Sequence, residues 1–216
     1  MRRIVAVCLM LAAMAAPAAP ARAEGERAGV FDYYIAAFTW TPAWCAAEGD
    51  ARQDARCATG AGFGWSLHGL WPQYERGWPS FCRTVERDPT RAETAAAGRL
   101  YGSSGLAWHQ WRKHGRCTGL SARDYYLLSA RAADRVRVPR MPGAGARDRR
   151  VAAAEVEAAF LAVNPGMTAD MVTVTCRDGA IYEVRVCLTR DLAPRRCGAD
   201  AIRDCRLPAA RLDAPR

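Results

Sequence analysis

Hydrophobic positions along the chain follow two periods, and each marks a different kind of element. Phe31 to Pro42, "FDYYIAAFTWTP", is dense in aromatic and other β-favouring side chains and predicts a buried strand that ends at Pro42. A second short strand is predicted in "GFGWSLHGLWPQ", Gly62 to Gln73, with glycines ahead of it and Pro72 near its end. Farther on, "MVTVTC" (Met171 to Cys176) and "IYEVRVCL" (Ile181 to Leu188) both alternate, and the "RDG" between them supplies the turn of a hairpin. The helical period governs "DRRVAAAEVEAAFLAVNPG", with Asp148 as N-cap, Val151, Val156, Phe160 and Val163 on the apolar stripe, and a stop at Asn164 to Gly166. Leu106 to Lys113 is a further helical stretch. Arg137 to Arg150, with two prolines and two glycines, predicts a loop and not a linker, since too little chain lies on either side for two cores. Strands interspersed with helices, without regular βαβ alternation, point to an α+β fold: a single domain in which a mainly antiparallel sheet packs with several helices.

The first 23 residues stand outside that domain. Arg2 and Arg3 precede an apolar run from Ile4 to about Ala19, closed by "ARA" at Ala21 to Ala23, the pattern of a signal peptide cleaved after Ala23. The run is too short and alanine-rich for a transmembrane anchor, so a mature domain of residues 24–216 without a membrane segment is expected, periplasmic or secreted. Export changes the meaning of the cysteines. Cys8 leaves with the signal, and the remaining eight form an even set in an oxidising compartment, enough for up to four disulfides. None of the eight makes a Cys-x-x-Cys pair, which argues against a zinc ribbon or a thioredoxin-like redox site.

Charge adds less. Without Arg2, Arg3 and Arg22 the chain keeps 28 basic against 22 acidic side chains, a net of +6. That favours polyanionic partners, but an arginine-rich surface explains it as well.

The informative feature is "WHQWRKHGRC", Trp108 to Cys117. The chain has one lysine, Lys113, and three histidines, and two of those, His109 and His114, flank the lysine. On a helix at about 100° per residue, His109, Lys113, Gln110 and His114 span about 140° of one face. Trp108 and Trp111 fall on the other side, toward a core. Gly115 then stops the helix, and Cys117 anchors a disulfide. With His68 delivered from elsewhere, the set matches what cleavage of an RNA phosphodiester by its own 2′-hydroxyl needs: a base, an acid, and positive charge on the phosphorane oxygens. The nucleophile belongs to the substrate, so no catalytic serine, metal or cofactor is called for. A metal site is the competing reading, but His109 and His114 at i, i+5 diverge too far to share one ligand direction.

"SLHGLWPQ" and "WHQWRKHGRC" resemble the two active-site segments of the ribonuclease T2 family, which read approximately I-H-G-L-W-P and H-E-W-x-K-H-G-T-C. The likeness extends to "FDYYIAAFTWTPAWC" and to the late "EVRVCL", so it takes in most of the mature chain. It implies a disulfide-stapled endoribonuclease that cleaves single-stranded RNA with low base specificity, as a monomer. His114 would be the base on the 2′-hydroxyl and His68 the acid for the 5′-oxygen, with His109 and Lys113 contacting the phosphate. Trp71 matches a residue lining a base site, although the residue pattern alone reads equally as a core tryptophan. The implied bridges are Cys82 to Cys117, Cys176 to Cys205, Cys187 to Cys197 and Cys45 to Cys57. Two positions depart from the family pattern: Gln110 replaces a glutamate, and Thr39 stands about where many relatives carry a base-binding glutamine. Gln110 keeps hydrogen-bonding capacity without the charge, which leaves open a second reading, a T2-like fold kept as an RNA-binding or protein-interaction module with little turnover.

Overall fold

In the computed structural model, which describes residues 26–141 and 147–216, the centre is a six-stranded sheet in the order β2-β1-β5-β6-β3, with β4 also paired to β5. The strands are β1 (Tyr33–Trp40), β2 (Trp65–Gln73), β3 (Arg149–Val151), β4 (Val172–Arg177), β5 (Ala180–Leu188) and β6 (Ala210–Leu212). Every pairing is antiparallel except a short parallel contact of β5 with β6. The expected α+β architecture is therefore observed. The signal sequence and its cleavage site lie outside the described residues, as does the middle of the Arg137 to Arg150 stretch.

Strand β1 is buried along its whole length and divides the molecule into two sides. Tyr34, Ala36, Phe38 and Trp40 enter the main core, while Tyr33, Ile35 and Ala37 face the opposite side with Cys187 and Cys197. Five α-helices are present among the described residues: α1 (Thr41–Trp44), α2 (Arg91–Tyr101), α3 (Ser104–Lys113), α4 (Ala122–Arg135) and α5 (Ala153–Val163). Three start where local chemistry satisfies their free N–H groups. Thr90 and Glu93 form a reciprocal capping box at α2, Ser103 Oγ accepts from Leu106 N at α3, and Ser121 Oγ accepts from Asp124 N at α4.

The hairpin of β4 and β5 turns on Asp178 and Gly179, both at positive φ (49° and 78°), as a tight two-residue turn requires. Three sequence expectations need correction. Asp148 does not cap a helix: Arg149 to Val151 pair with β6, and α5 starts only at Ala153, where Glu155 accepts from Ala152 N. Val151 fits both periods, and burial in the sheet wins. For the same reason the predicted loop ends before Arg149. Nor is Gly115 a left-handed stop. It continues into a short 3-10 turn, Gly115–Thr118, that ends at Gly119 (φ 75°), and a Cβ on Gly115 would lie 2.6 Å from the Trp111 ring.

Strand β2 carries the feature that matters most for the site. Ala37 pairs with Gly69 and the next residue, Phe38, pairs with Leu67, so His68 is the extra residue of a β-bulge. In a regular strand Leu67 and Leu70 would point to opposite faces; here both reach the main core. His68 and Trp71 are left on the other side.

All eight cysteines among the described residues pair, as Cys45–Cys57, Cys82–Cys117, Cys176–Cys205 and Cys187–Cys197. These are the bridges the family resemblance implies. No helix among the described residues is long and apolar enough to cross a membrane.

Candidate active site

The site lies where α3 meets β2. Tyrosines of α4 brace the two: the Tyr125 hydroxyl donates to Leu70 O, between His68 and Trp71 in the chain, and the Tyr126 hydroxyl donates to Ala107 O on α3. Trp111 is fully buried and donates its indole N–H to Asp88 at 2.8 Å, while Trp108 packs half-buried against the main core. The C-terminal end of α3 is tied to the segment after β2 by the Cys82–Cys117 disulfide and by Phe81 N donating to Lys113 O.

The four polar residues of α3 do not share one exposed face. His109 is exposed and Lys113 half-buried, but Gln110 and His114 are buried against β2, at 1% and 6% exposure. Gln110 Oε1 accepts the indole N–H of Trp71 at 2.9 Å. That contact needs Gly69, because a Cβ there would stand 2.1 Å from Gln110 Oε1 and 2.3 Å from Trp71 Nε1. Gln110 thus sits behind the site as a support for Trp71.

Trp71 occupies the middle. The His114 ring stacks on it with centroids 5.2 Å apart and planes 23° apart, and the His68 ring meets it edge-on at 5.1 Å. The structure brings together His68, Trp71, Gln110 and His114 from two chain segments, with His109 and Lys113 on the exposed flank of the same helix.

The two central histidines have different surroundings. His114 is buried, its Nδ1 has no hydrogen-bond partner among the described residues, and burial, with the nearby charges of Lys113, His68 and His109, pushes its pKa well below the usual histidine range. His109 is lowered by the same causes, burial first and Lys113 second. His68 instead places Nδ1 2.6 Å from Oε2 of Glu183, a carboxylate that is 3% exposed. Burial alone would raise the Glu183 pKa, but the hydrogen bond and charge of His68, together with Arg185, outweigh it and hold the carboxyl below its usual range. Arg185 Nε donates to the other oxygen at 2.7 Å, and its guanidinium lies 5.4 Å from the Trp71 ring centroid.

The sequence reading missed Glu183 and Arg185 as site residues. In "IYEVRVCL" they take the polar positions of the alternation, opposite Val184, Val186 and Leu188 and on the face that carries Cys187, and a strand alternates in the same way whether its polar face meets solvent or a site, so the local pattern carried no signal. Thr39 pairs in register with both Ser66 and Glu183 and is nearly buried. No group of three or more His, Cys, Asp and Glu side chains among the described residues is placed to hold a metal ion.

The sequence profile described as the Ribonuclease T2 family matches residues 31–197, more than half of the chain and the stretch that contains the whole site. The chain belongs to the ribonuclease T2 family. Among similar proteins, one named ribonuclease from Aeromonas hydrophila is 43% identical over 130 residues, 60% of this chain and 57% of that one. A probable ribonuclease of Haemophilus influenzae is 30% identical over 122 residues, 50% of this chain and 44% of that protein. The matches thus span about half the length of these relatives. The solved structure of trichomaglin, described as an S-like ribonuclease, superposes with a TM-score of 0.64 over 86% of this chain and 98% of that one at 19% identity, which shows the shared T2 fold.

Proposed function

We propose that this protein is an exported endoribonuclease that cleaves single-stranded RNA without a metal ion. The observation that carries the reading is the pair of imidazoles on either side of Trp71, one buried and driven toward its neutral form, the other held by a buried carboxylate. A neutral imidazole accepts a proton; an imidazole whose Nδ1–H donates to a carboxylate keeps Nε2 for proton exchange with the substrate. His114 takes the proton of the 2′-hydroxyl as the O2′–P bond forms. His68 protonates the 5′-oxygen as the P–O5′ bond breaks. The products are a 2′,3′-cyclic phosphate and a 5′-hydroxyl, and a slower second step hydrolyses the cyclic ester with water in place of the departed nucleoside. Lys113 and His109 supply positive charge to the phosphorane oxygens, and Lys113 has no salt-bridge partner among the described residues that would compete.

Trp71 acts in this scheme as a positioning residue, because its ring already supports His114 and its N–H is held by Gln110. The rings open to a base are Trp78 and Phe81, 52% and 45% exposed, which border a groove of about 1160 Å³ with Tyr74, Arg76 and Arg112 beside α3. Stacking on such rings is sequence-tolerant, in keeping with low base specificity. Every group of the scheme comes from one chain, so a monomer suffices. Four disulfides support action in an oxidising compartment, periplasmic or extracellular, after removal of residues 1–23.

The test is incubation of the EDTA-treated protein with RNA and with DNA of the same sequence. RNA fragments ending in 2′,3′-cyclic phosphate, with DNA intact, are expected. Cleavage of both polymers, loss of activity with EDTA, or binding without cleavage would each overturn the reading, the last in favour of a binding module.

A further inference from the structure

At one level of the sheet, Gly69 on β2, Ala37 on β1, Arg185 on β5 and Thr173 on β4 are direct partners, in that order. At about 4.8 Å per strand, this row leads from the residue after His68 to Arg185 in about 10 Å and to β4 in about 14 Å. Gly69 and Ala37 raise no bulk between Trp71 and Arg185, which is why the guanidinium of Arg185 comes over the indole ring. The row continues off the sheet, where Arg203 N donates to Thr173 Oγ1 at 3.1 Å. Here a pocket of about 580 Å³ is lined by Arg185, Arg203 and Arg206, with Thr175, Asp178 and Asp204 also in its wall.

The charges in this pocket are arranged asymmetrically. Asp204 is turned into the fold, accepting from Thr173 Oγ1 at 2.7 Å and Val174 N at 3.0 Å, and Asp178 lies 3.5 Å from Arg177. Arg185 donates through Nε to Glu183 and Arg203 through Nε to Asp200 O, and the terminal guanidinium nitrogens of both have no hydrogen-bond partner among the described residues. Arg206 is exposed and has no side-chain partner among the described residues. The segment that carries Arg203 and Arg206 is pinned to β4 by the Cys176–Cys205 disulfide and by Cys205 N donating to Val174 O at 2.7 Å.

We infer that Arg185, Arg203 and Arg206 form a subsite for a second, non-scissile phosphate of the same RNA strand. The inference rests on the ribonuclease reading and extends it from a dinucleotide to a longer substrate. Guanidinium groups with free terminal nitrogens are suited to bidentate contact with phosphate oxygens. Arg185 belongs to both places: it touches the residue that supports His114, holds the carboxylate that holds His68, and lines the pocket. A phosphate seated there therefore anchors the strand next to the reacting one.

The experiment compares kcat/KM for a dinucleotide with kcat/KM for the same dinucleotide carrying one extra terminal phosphate, at the 3′ end or at the 5′ end. In the wild type the better of the two phosphorylated forms should be favoured by about tenfold. In the Arg203→Ala/Arg206→Ala double variant that ratio should fall toward one, and Arg206→Glu alone should lower it. Both residues are exposed, and an unchanged circular-dichroism melt verifies folding. Dissociation constants for the 2′-deoxy versions, which lack the nucleophile, give the same ratio without turnover. A wild-type ratio of one at both ends, or a ratio that survives in the double variant, would overturn the subsite. If the dinucleotide is not cleaved at all, the ribonuclease reading falls, and the deoxy binding ratio still decides the subsite.

Discussion

On the helix side of Trp71, His114 is enclosed by protein and meets only positive or neutral neighbours; on the strand side, His68 is a third exposed and leans on a buried carboxylate. One indole ring separates the two, yet one surrounding favours the neutral imidazole and the other sets a buried carboxylate against the ring. In the proposed mechanism, that difference is what would let three copies of one side chain take separate tasks, the buried imidazole as base and the carboxylate-held one as acid. It also assigns the fold two jobs. The helices must keep solvent off His114, whereas the sheet must deliver Glu183, 115 residues away in the chain, to His68.

Removing either imidazole should break the comparison most severely. His68→Ala and His114→Ala are each expected to lose about 10²-fold or more in kcat on RNA while keeping the fold; a wild-type rate in either folded variant would refute its assigned proton transfer. A smaller effect is expected from Glu183→Gln, which keeps an acceptor for Nδ1 but removes the charge. It should cost about tenfold in kcat/KM on RNA, because the hydrogen bond that orients the His68 ring loses its charged partner. A change in melting temperature with an unchanged kcat/KM in the folded variant would make Glu183 merely structural.

The subtlest test concerns Gln110. Because the His114 pKa lies well below the ordinary histidine value, the base stays unprotonated in mildly acidic solution, and activity should fall only as pH drops through that lowered value. Gln110→Glu can still accept from Trp71, and its negative charge beside His114 should shift the acidic limb upward by about one pH unit, equivalent to about 1.4 kcal/mol. Gln110→Ala loses only a supporting hydrogen bond and should cost less than His114→Ala. Profiles of kcat/KM on a dinucleotide check both, and an unshifted limb in Gln110→Glu would mean that the residue does not sense the base.

What the sequence revealed of this arrangement follows the same division. The helix side is contiguous, so the crowding of His109, Lys113 and His114 could be read directly, and so could the hairpin, whose alternation and Asp-Gly turn are local. The strand side depends on register. Nothing near His68 in the chain announces Glu183, because the pairing of β2 with β1 and of β1 with β5 brings them together. Angular reckoning placed Gln110 beside the other polar groups of α3 but could not tell that its flank of the helix faces β2. Asp148 misled for a comparable reason: Val151 satisfies a helical stripe and a strand alternation alike, and only the presence of β6 decides.

The bulge at His68 makes β2 sensitive to length where most strands are sensitive to composition. Leu67 and Leu70 both reach the core because an odd residue intervenes, so the segment works as a counted spacer. Conservative substitutions within it leave the count intact. Deleting one residue between the two leucines would give plain alternation that still keeps both on the core face but removes His68 or Gly69 and the bulge, whereas inserting one while the bulge is kept would turn one leucine toward the site. In a library of variants, Leu67 and Leu70 should accept conservative apolar exchanges, His68 and Gly69 should accept few, and a change in the number of residues between the leucines should abolish activity.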